Sequence, residues 1–286
     1  MENATKYVLV GIDGTPEGQL ALRWAVDAAG RRGLAVRVVR AYLSQVSQWP
    51  AIGAEGYIPD PPPVELYQAE LDAAVDFVRD RLGYQNGSGW LTQQAAADAI
   101  LLEGADAELV VVGTRSRNKL SAAILGSVAT AVTAKCDRPV VVVRGDRRTG
   151  PILVGTDGSA DSDEALAFAF DEAERSGTAL NVVYCWQPQD RHEAPIESTR
   201  HLLRDWLAES LAPYDGKYPS VQVRASVVEG RAASKLTELT AESSLAVVGS
   251  RGRGGVAGLL LGSVSQSLLH HADCPVAVVH EPRDDS

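Results

Sequence analysis

The sequence is short of cysteine, of basic charge and of long apolar runs, and each shortage excludes something. Three cysteines (Cys136, Cys185, Cys274) in 286 residues are an odd number without CxxC spacing, so neither a disulfide framework nor a metal site is indicated. Basic residues number 27 against 37 acidic, a formal charge of −10, which disfavours non-specific contact with nucleic acid or an anionic membrane. No stretch approaches the roughly 20 uninterrupted apolar residues of a membrane span. The opening MENATKYVLVGID lacks the basic-then-apolar pattern of a secretory leader. No glycine-lysine pair is followed by serine or threonine, which removes the usual phosphate-binding P-loop. The expectation is a soluble cytoplasmic protein.

What is present is a core-forming composition, 45% hydrophobic and 22% charged, in a chain long enough for one large or two ordinary domains. The chain also repeats itself. VLVGIDGT at 8–15 returns as ILVGTDGS at 152–159, and LVVVGTRSRNKLSAAILGSV at 109–128 returns as LAVVGSRGRGGVAGLLLGSV at 245–264. Each copy closes on a proline and a β-branched run, RPVVVV at 138–143 and CPVAVV at 274–279. The first pair is offset by 144 residues and the others by 136, so the second copy is shorter in its middle. The excess fits the Pro/Gly-rich loop Ser44–Pro63. Two domain-sized units follow, 1–143 and 151–286, joined by the polar linker 144–150.

Within each copy short apolar runs alternate with stretches of helical periodicity. In the second copy, strands are expected near 151–156, 179–185, 221–227, 244–248 and 276–280. Helices are expected over Asp161–Arg175, Ile196–Leu211 and Arg231–Ala241. Thr15 and Ser159 are placed to cap the first helix of each copy, with Pro16 suited to a first helical position. Strict β-α alternation implies an α/β fold, a doubly wound parallel sheet with helices on both faces. In such sheets ligands bind beyond the carboxyl ends of the strands, where strand order reverses.

The glycine-rich stretch GSRGRGGVAGLLLGS at 249–263 sits at such an end. A dinucleotide fingerprint would follow the first strand, but here the first strand runs into Asp-Gly-Thr/Ser and the glycines follow the fourth. The remaining frame is Gly249-x2-Gly252-x9-Gly262-Ser263. Loop N–H groups and the N-terminus of the helix SVSQSLLHH would then converge on an anion, for which phosphate is the natural candidate. Ser263 adds a hydroxyl, and Arg251 or Arg253 adds charge. The competing reading is a surface turn that needs glycine for positive φ. The same frame in both copies favours a binding loop.

That frame after the fourth strand, with V-G-x-D-G-S ending the first, resembles the universal stress protein family in its tandem two-domain actinobacterial form. The likeness covers nearly the whole chain outside the linker and the 44–63 loop. It implies five-stranded sheets of order 3-2-1-4-5, ATP as ligand, and pairing of the two last strands, Val140–Val143 and Val276–Val279, within one chain; Mg2+ enters as an ion that ATP can carry. It also suggests further assembly into a homodimer. Carried over by position, Asp157 would contact the nucleoside at its ribose. The backbone of Cys185 would read adenine, and Gly249, Arg251, Gly252, Gly262 and Ser263 would hold the triphosphate. The first-copy matches are Asp13, Ala41, Gly113, Arg115, Gly126 and Ser127. Ser116 departs from the motif's glycine, which is expected to adopt a left-handed conformation unfavourable to a residue with a Cβ, so the first site is expected to be the weaker one.

Other readings compete at single positions. Asp13 and Asp157 could organise the turn into the first helix, Cys185 could be small core filler, and His270 and His271 could simply suit a helix C-terminus. At the level of function, the leading reading is an ATP-binding regulator of a stress or dormancy response, acting on an unknown protein partner. Its rival is a slow Mg2+-dependent ATP hydrolase or other nucleotide-processing enzyme, and a flavin protein of related topology is a third reading. No catalytic residue is assigned.

Overall fold

The computed structural model describes residues 6–42, 63–114, 125–145, 149–187, 196–254 and 260–282. The Ser44–Pro63 loop, all but its last residue, therefore lies outside the described residues, as does the segment from Arg115 to Lys119. The first copy runs β1 (Tyr7–Ile12), α1 (Pro16–Arg32), β2 (Ala35–Ala41), α2 (Val64–Leu82), β3 (Gly87–Thr92), α3 (Ala96–Gly104), β4 (Leu109–Gly113), α4 (Ser127–Lys135) and β5 (Val140–Val143). The second runs β6 (Ile152–Thr156), α5 (Ala160–Ser176), β7 (Leu180–Trp186), α6 (Ile196–Asp215), β8 (Val223–Glu229), α7 (Ala232–Leu239), β9 (Leu245–Gly249), α8 (Ser263–His271) and β10 (Val276–Val279).

The strands form a single ten-stranded sheet, β3-β2-β1-β4-β5-β10-β9-β6-β7-β8. Each half has the order 3-2-1-4-5. The halves meet where β5 and β10 pair antiparallel, with Val140 opposite Val278 and Val142 opposite Val276, while the other ladders are parallel. Two last strands that would each have been a bare apolar edge thus cover one another. Alternation sorts the strand side chains onto two faces. Val8, Val10, Val141, Val154, Val247 and Ala277 pack beneath α1, α2, α5 and α6, and Leu9, Val110, Val140, Leu153, Val248 and Val278 pack on the other face. Both core layers run unbroken through the two halves.

Local chemistry sets the helix ends. Thr15 accepts a hydrogen bond from the Gly18 N–H at the start of α1, and Ser159 does the same for Ser162 at the start of α5. Gly33 and Gly177 close these helices at φ 64° and 62°, the left-handed C-cap that favours glycine. Two expectations shift. Helix α6 runs past Leu211 and through Pro213, because Tyr214 stacks on Phe170 at 4.4 Å and anchors the extra turn. Strand β8 begins at Val223, not 221, since Val221 packs on the core from a turn closed by its N–H on the Tyr218 carbonyl. Among the described residues no helix is long and apolar enough to cross a membrane.

Candidate functional site

Strands β6 and β9 are neighbours whose helices leave toward opposite faces of the sheet, and between their carboxyl ends lies a cleft of about 330 Å3. Its walls include Asp157, Cys185, Gly249, Arg251, Gly252, Gly262 and Ser263, so all seven second-copy candidates meet in one cavity. Apolar side chains of Val183, Leu236 and Val248 form its inner end.

The two kinds of helix start differ in a way that matters. Helices α1 and α5 are capped by their own hydroxyls, whereas α4 and α8, like α2, α3 and α7, begin with no side-chain cap; what distinguishes α8 is that its start, Gly262 to Ser265, lines the cleft. An N-terminus left uncapped presents first-turn N–H groups and the positive end of the helix dipole to whatever occupies the cleft. The Gly262 N–H itself donates to the Ser250 carbonyl at 2.7 Å, which closes the loop onto the helix start. No described glycine of the stretch has positive φ, so the turn that needs left-handed glycine is not what these residues build. Gly249 is needed for another reason: a Cβ there would lie 2.8 Å from the Asp161 backbone, and one on Gly113 would lie 2.7 Å from the Glu17 carbonyl oxygen. At both strand ends the first helix packs directly on the glycine. A Cβ on Gly252 would run into the Asp157 carboxylate.

Asp157 spans turn and loop. Its Oδ1 accepts from Ser159 N at 3.0 Å and Ser159 Oγ at 2.6 Å, and its Oδ2 accepts from the Arg253 N–H at 2.8 Å. Asp13 likewise accepts from the backbone and hydroxyl of Thr15. The turn-organising role is therefore present in both copies, and in the second the same carboxylate also draws the glycine loop down over the cleft. The Arg253 guanidinium donates to the Gly158 carbonyl and lies 5.8 Å from the centre of the Trp206 ring.

Sequence reasoning missed Asp161. Its carboxylate is buried; Oδ2 accepts from Ser250 Oγ at 2.6 Å and Arg251 N at 2.8 Å, and Oδ1 accepts from Glu281 N at 3.1 Å. Burial alone would raise its pKa, but these hydrogen bonds and the nearby Arg251 charge outweigh it and hold the group below its ordinary value. An acidic residue two places after the cap in both copies, Glu17 and Asp161, was the available signal, and it reads equally well as helix-start chemistry. Cys185 lines the cleft with its thiol pKa pushed up to about 11 by burial, against a smaller downward pull from Lys235. It is a neutral wall, not a nucleophile.

In the first copy Gly113, Gly126 and Ser127 hold the matching places, and Ala41 ends β2 as Cys185 nears the end of β7. The Ala41 carbonyl already accepts from the Arg40 guanidinium at 3.0 Å. Arg115 and Ser116 lie outside the described residues. His270 and His271 close α8 as a helix C-terminus favours, and among the described residues no His/Cys/Asp/Glu cluster suited to a metal occurs.

The model of the Universal stress protein family matches this chain twice, at residues 5–144 and 149–280. Universal stress protein Rv2623 of Mycobacterium tuberculosis is 33% identical over 296 residues, covering 98% of each chain. A universal stress protein of Mycolicibacterium smegmatis is 34% identical over 293 residues, covering 98% of this chain and 99% of its own. The solved structure of a putative universal stress protein from Pseudomonas aeruginosa shares the fold at TM-score 0.67 and 19% identity, covering 97% of this chain and 94% of that one. The chain belongs to the universal stress protein family, with two tandem family domains.

Proposed function

We propose that this protein binds ATP in the second-domain cleft and acts as a nucleotide-dependent regulator, its loop position reporting occupancy to a protein partner. The observation that carries this reading is the uncapped start of α8 at Gly262, opening into a cleft of about 330 Å3 at the point where strand order reverses. In that reading Ser263 and the first-turn N–H groups of α8 hold phosphate, Gly252 leaves room for it, and Arg251, with its side chain 55% exposed, supplies charge from the rim. The apolar end at Val183, Cys185 and Leu236 suits a purine ring. ATP would bring Mg2+ with it, bound chiefly through the phosphates.

Regulation is favoured over hydrolysis by the state of the carboxylates. Asp157, the carboxylate that lines the cleft, already accepts the N–H groups of Ser159 and Arg253, and Asp161 is buried behind the glycine loop, accepts backbone N–H groups and is held below the ordinary carboxylate value, so neither is set up as a water-activating base. The test is calorimetric titration with MgATP, with AMP and cyclic AMP as competitors, alongside phosphate release at saturating MgATP. Micromolar binding with negligible turnover is the expected result. Steady phosphate release would turn the reading toward an enzyme, and absence of binding would end it.

A further inference from the structure

Arg144 opens the polar linker 144–150, and in the structure it reaches across the domain boundary. Its guanidinium donates to the carbonyls of Leu269, His270 and Ala272, the last turn and cap of α8 in the other domain, at 3.1 Å for the latter two. The residue 136 positions later, His280, does the converse: its Nε2 donates to the Thr133 carbonyl, in the last turn of α4, at 2.8 Å. Terminal carbonyls of a helix have no partner within it and carry the negative end of its dipole, so each domain supplies the C-terminal cap of the other's last helix. Those two nine-residue helices are the ones whose uncapped N-termini face the candidate phosphate positions, about 13 Å away at the far end of a rigid rod.

The residues beside these caps hold the glycine loops. The Val143 carbonyl, just before Arg144, accepts from the Thr114 N–H at the start of the first loop. The Val279 carbonyl, just before His280, accepts from the Ser250 N–H at 2.7 Å. On the other side of His280, the Glu281 N–H donates to Asp161, whose second oxygen holds Ser250 and Arg251. A single segment thus grips its own domain's loop with its backbone and the other domain's helix with its side chain.

We infer that Arg144 and His280 are reciprocal positioning residues that couple the two nucleotide loops, so that the arrangement of one loop sets the helix facing the other. The nucleotide half of this inference rests on the reading above; the mechanical half does not, and the experiment separates them. Amide hydrogen exchange on the ligand-free full chain compares wild type with His280→Ala and His280→Gln, the glutamine retaining a donor at the Nε2 position. The alanine variant loses a side-chain contact to the first domain, yet exchange at Ser250 and Arg251 in the second should rise about 5-fold, with glutamine restoring it. Faster exchange confined to the end of α4 would overturn the coupling. Should the alanine variant not fold, Arg144→Lys, which keeps the charge but not the three-carbonyl fork, is read at Thr114 by the same criterion. In parallel, MgATP affinity of the second-domain cleft should fall about 5-fold in His280→Ala and recover in His280→Gln. Wild-type protein that takes up no MgATP removes the nucleotide reading and leaves the exchange comparison to decide the coupling.

Discussion

A Cβ built on Gly262 meets the Arg251 Cα and the Ser250 carbonyl oxygen at 3.4 Å, an ordinary contact, and its φ of −76° suits any residue. Gly262→Ala is therefore expected to keep its stability within about 0.5 kcal/mol. It should nonetheless weaken MgATP binding, because the methyl would stand at the mouth of the α8 N-terminus. Gly252→Ala should differ, since its Cβ displaces the Asp157 carboxylate and frees the Arg253 N–H, costing about 1 kcal/mol as well as nucleotide affinity. Urea denaturation and calorimetry on both variants check this; a Gly262→Ala protein with wild-type affinity would show that the loop is not a phosphate site. Asp161 adds a pH dependence. Its folded pKa lies below the ordinary 3.8, so it contributes stability that is fully present above that value and is lost as pH falls through the folded one. The stability advantage of wild type over Asp161→Asn should be level from pH 7 to 5 and shrink below about pH 4. An advantage undiminished at pH 2.5 would mean that these bonds do not depend on the charge.

At the scale of elements the two domains differ where β2 meets α2 and β7 meets α6. The first has an ion pair there, Arg40 to Glu70 at 2.7 Å, and at the matching positions the second has an aromatic pair, Tyr184 edge-on to Trp206 at 5.0 Å. Glu70 lies against Gly14, beside Asp13, whereas the matching Gly158 has Trp206 and the Arg253 guanidinium. The sequence leads to an expectation of unequal sites, but by a route that the structure does not support. It assumed that the motif glycine at Gly252 is left-handed, and it is not. Two acidic groups at the first turn, and an Ala41 carbonyl that already accepts from Arg40 at the position proposed to face adenine, supply another reason for that expectation. The first site is expected to bind MgATP more weakly. Glu70→Gln, in a Gly252→Val background, should tighten it by up to about 5-fold, the worth of one partly solvated charge. No change would remove Glu70 from the account. The contrast shows where reading a sequence stops. Repeated motifs displayed the strands, the caps at Thr15 and Ser159 and the glycine frame, because these are local. The Glu70 partner of Arg40, the Ser250 partner of Asp161 and the Ala272 partner of Arg144 lie 30 to 128 residues away and depend on which face each element presents.

The molecule as a whole is nearly symmetric in its backbone and asymmetric in what bolts it together. Beyond the β5–β10 ladder, helices α1 and α5 are joined by Glu172, which accepts from Arg31 at 2.6 Å and Arg32 at 2.5 Å with its own side chain only 3% exposed. The matching residue in the first copy is Ala28, so no second pair of this kind is generated by the repeat, and nothing in either copy alone announces it. Such a site is costly to break and cheap to replace. Removing the carboxylate leaves Arg32, 5% exposed, with Asp171 at 4.0 Å as its remaining acidic neighbour. Glu172→Ala should accordingly cost about 3 kcal/mol, the low end for a buried pair that loses one partner. Exchanging all three residues for methionine removes the buried charges together and should recover most of that loss, because the desolvation penalty disappears with the attraction. Urea denaturation of wild type, Glu172→Ala and the triple variant measures the difference, and its slope reports whether the domains still unfold together. A triple variant as unstable as Glu172→Ala would mean that the arginines act through packing against Phe168 and the α1–α5 contact, not through charge, and that the domains are held chiefly by the antiparallel strands.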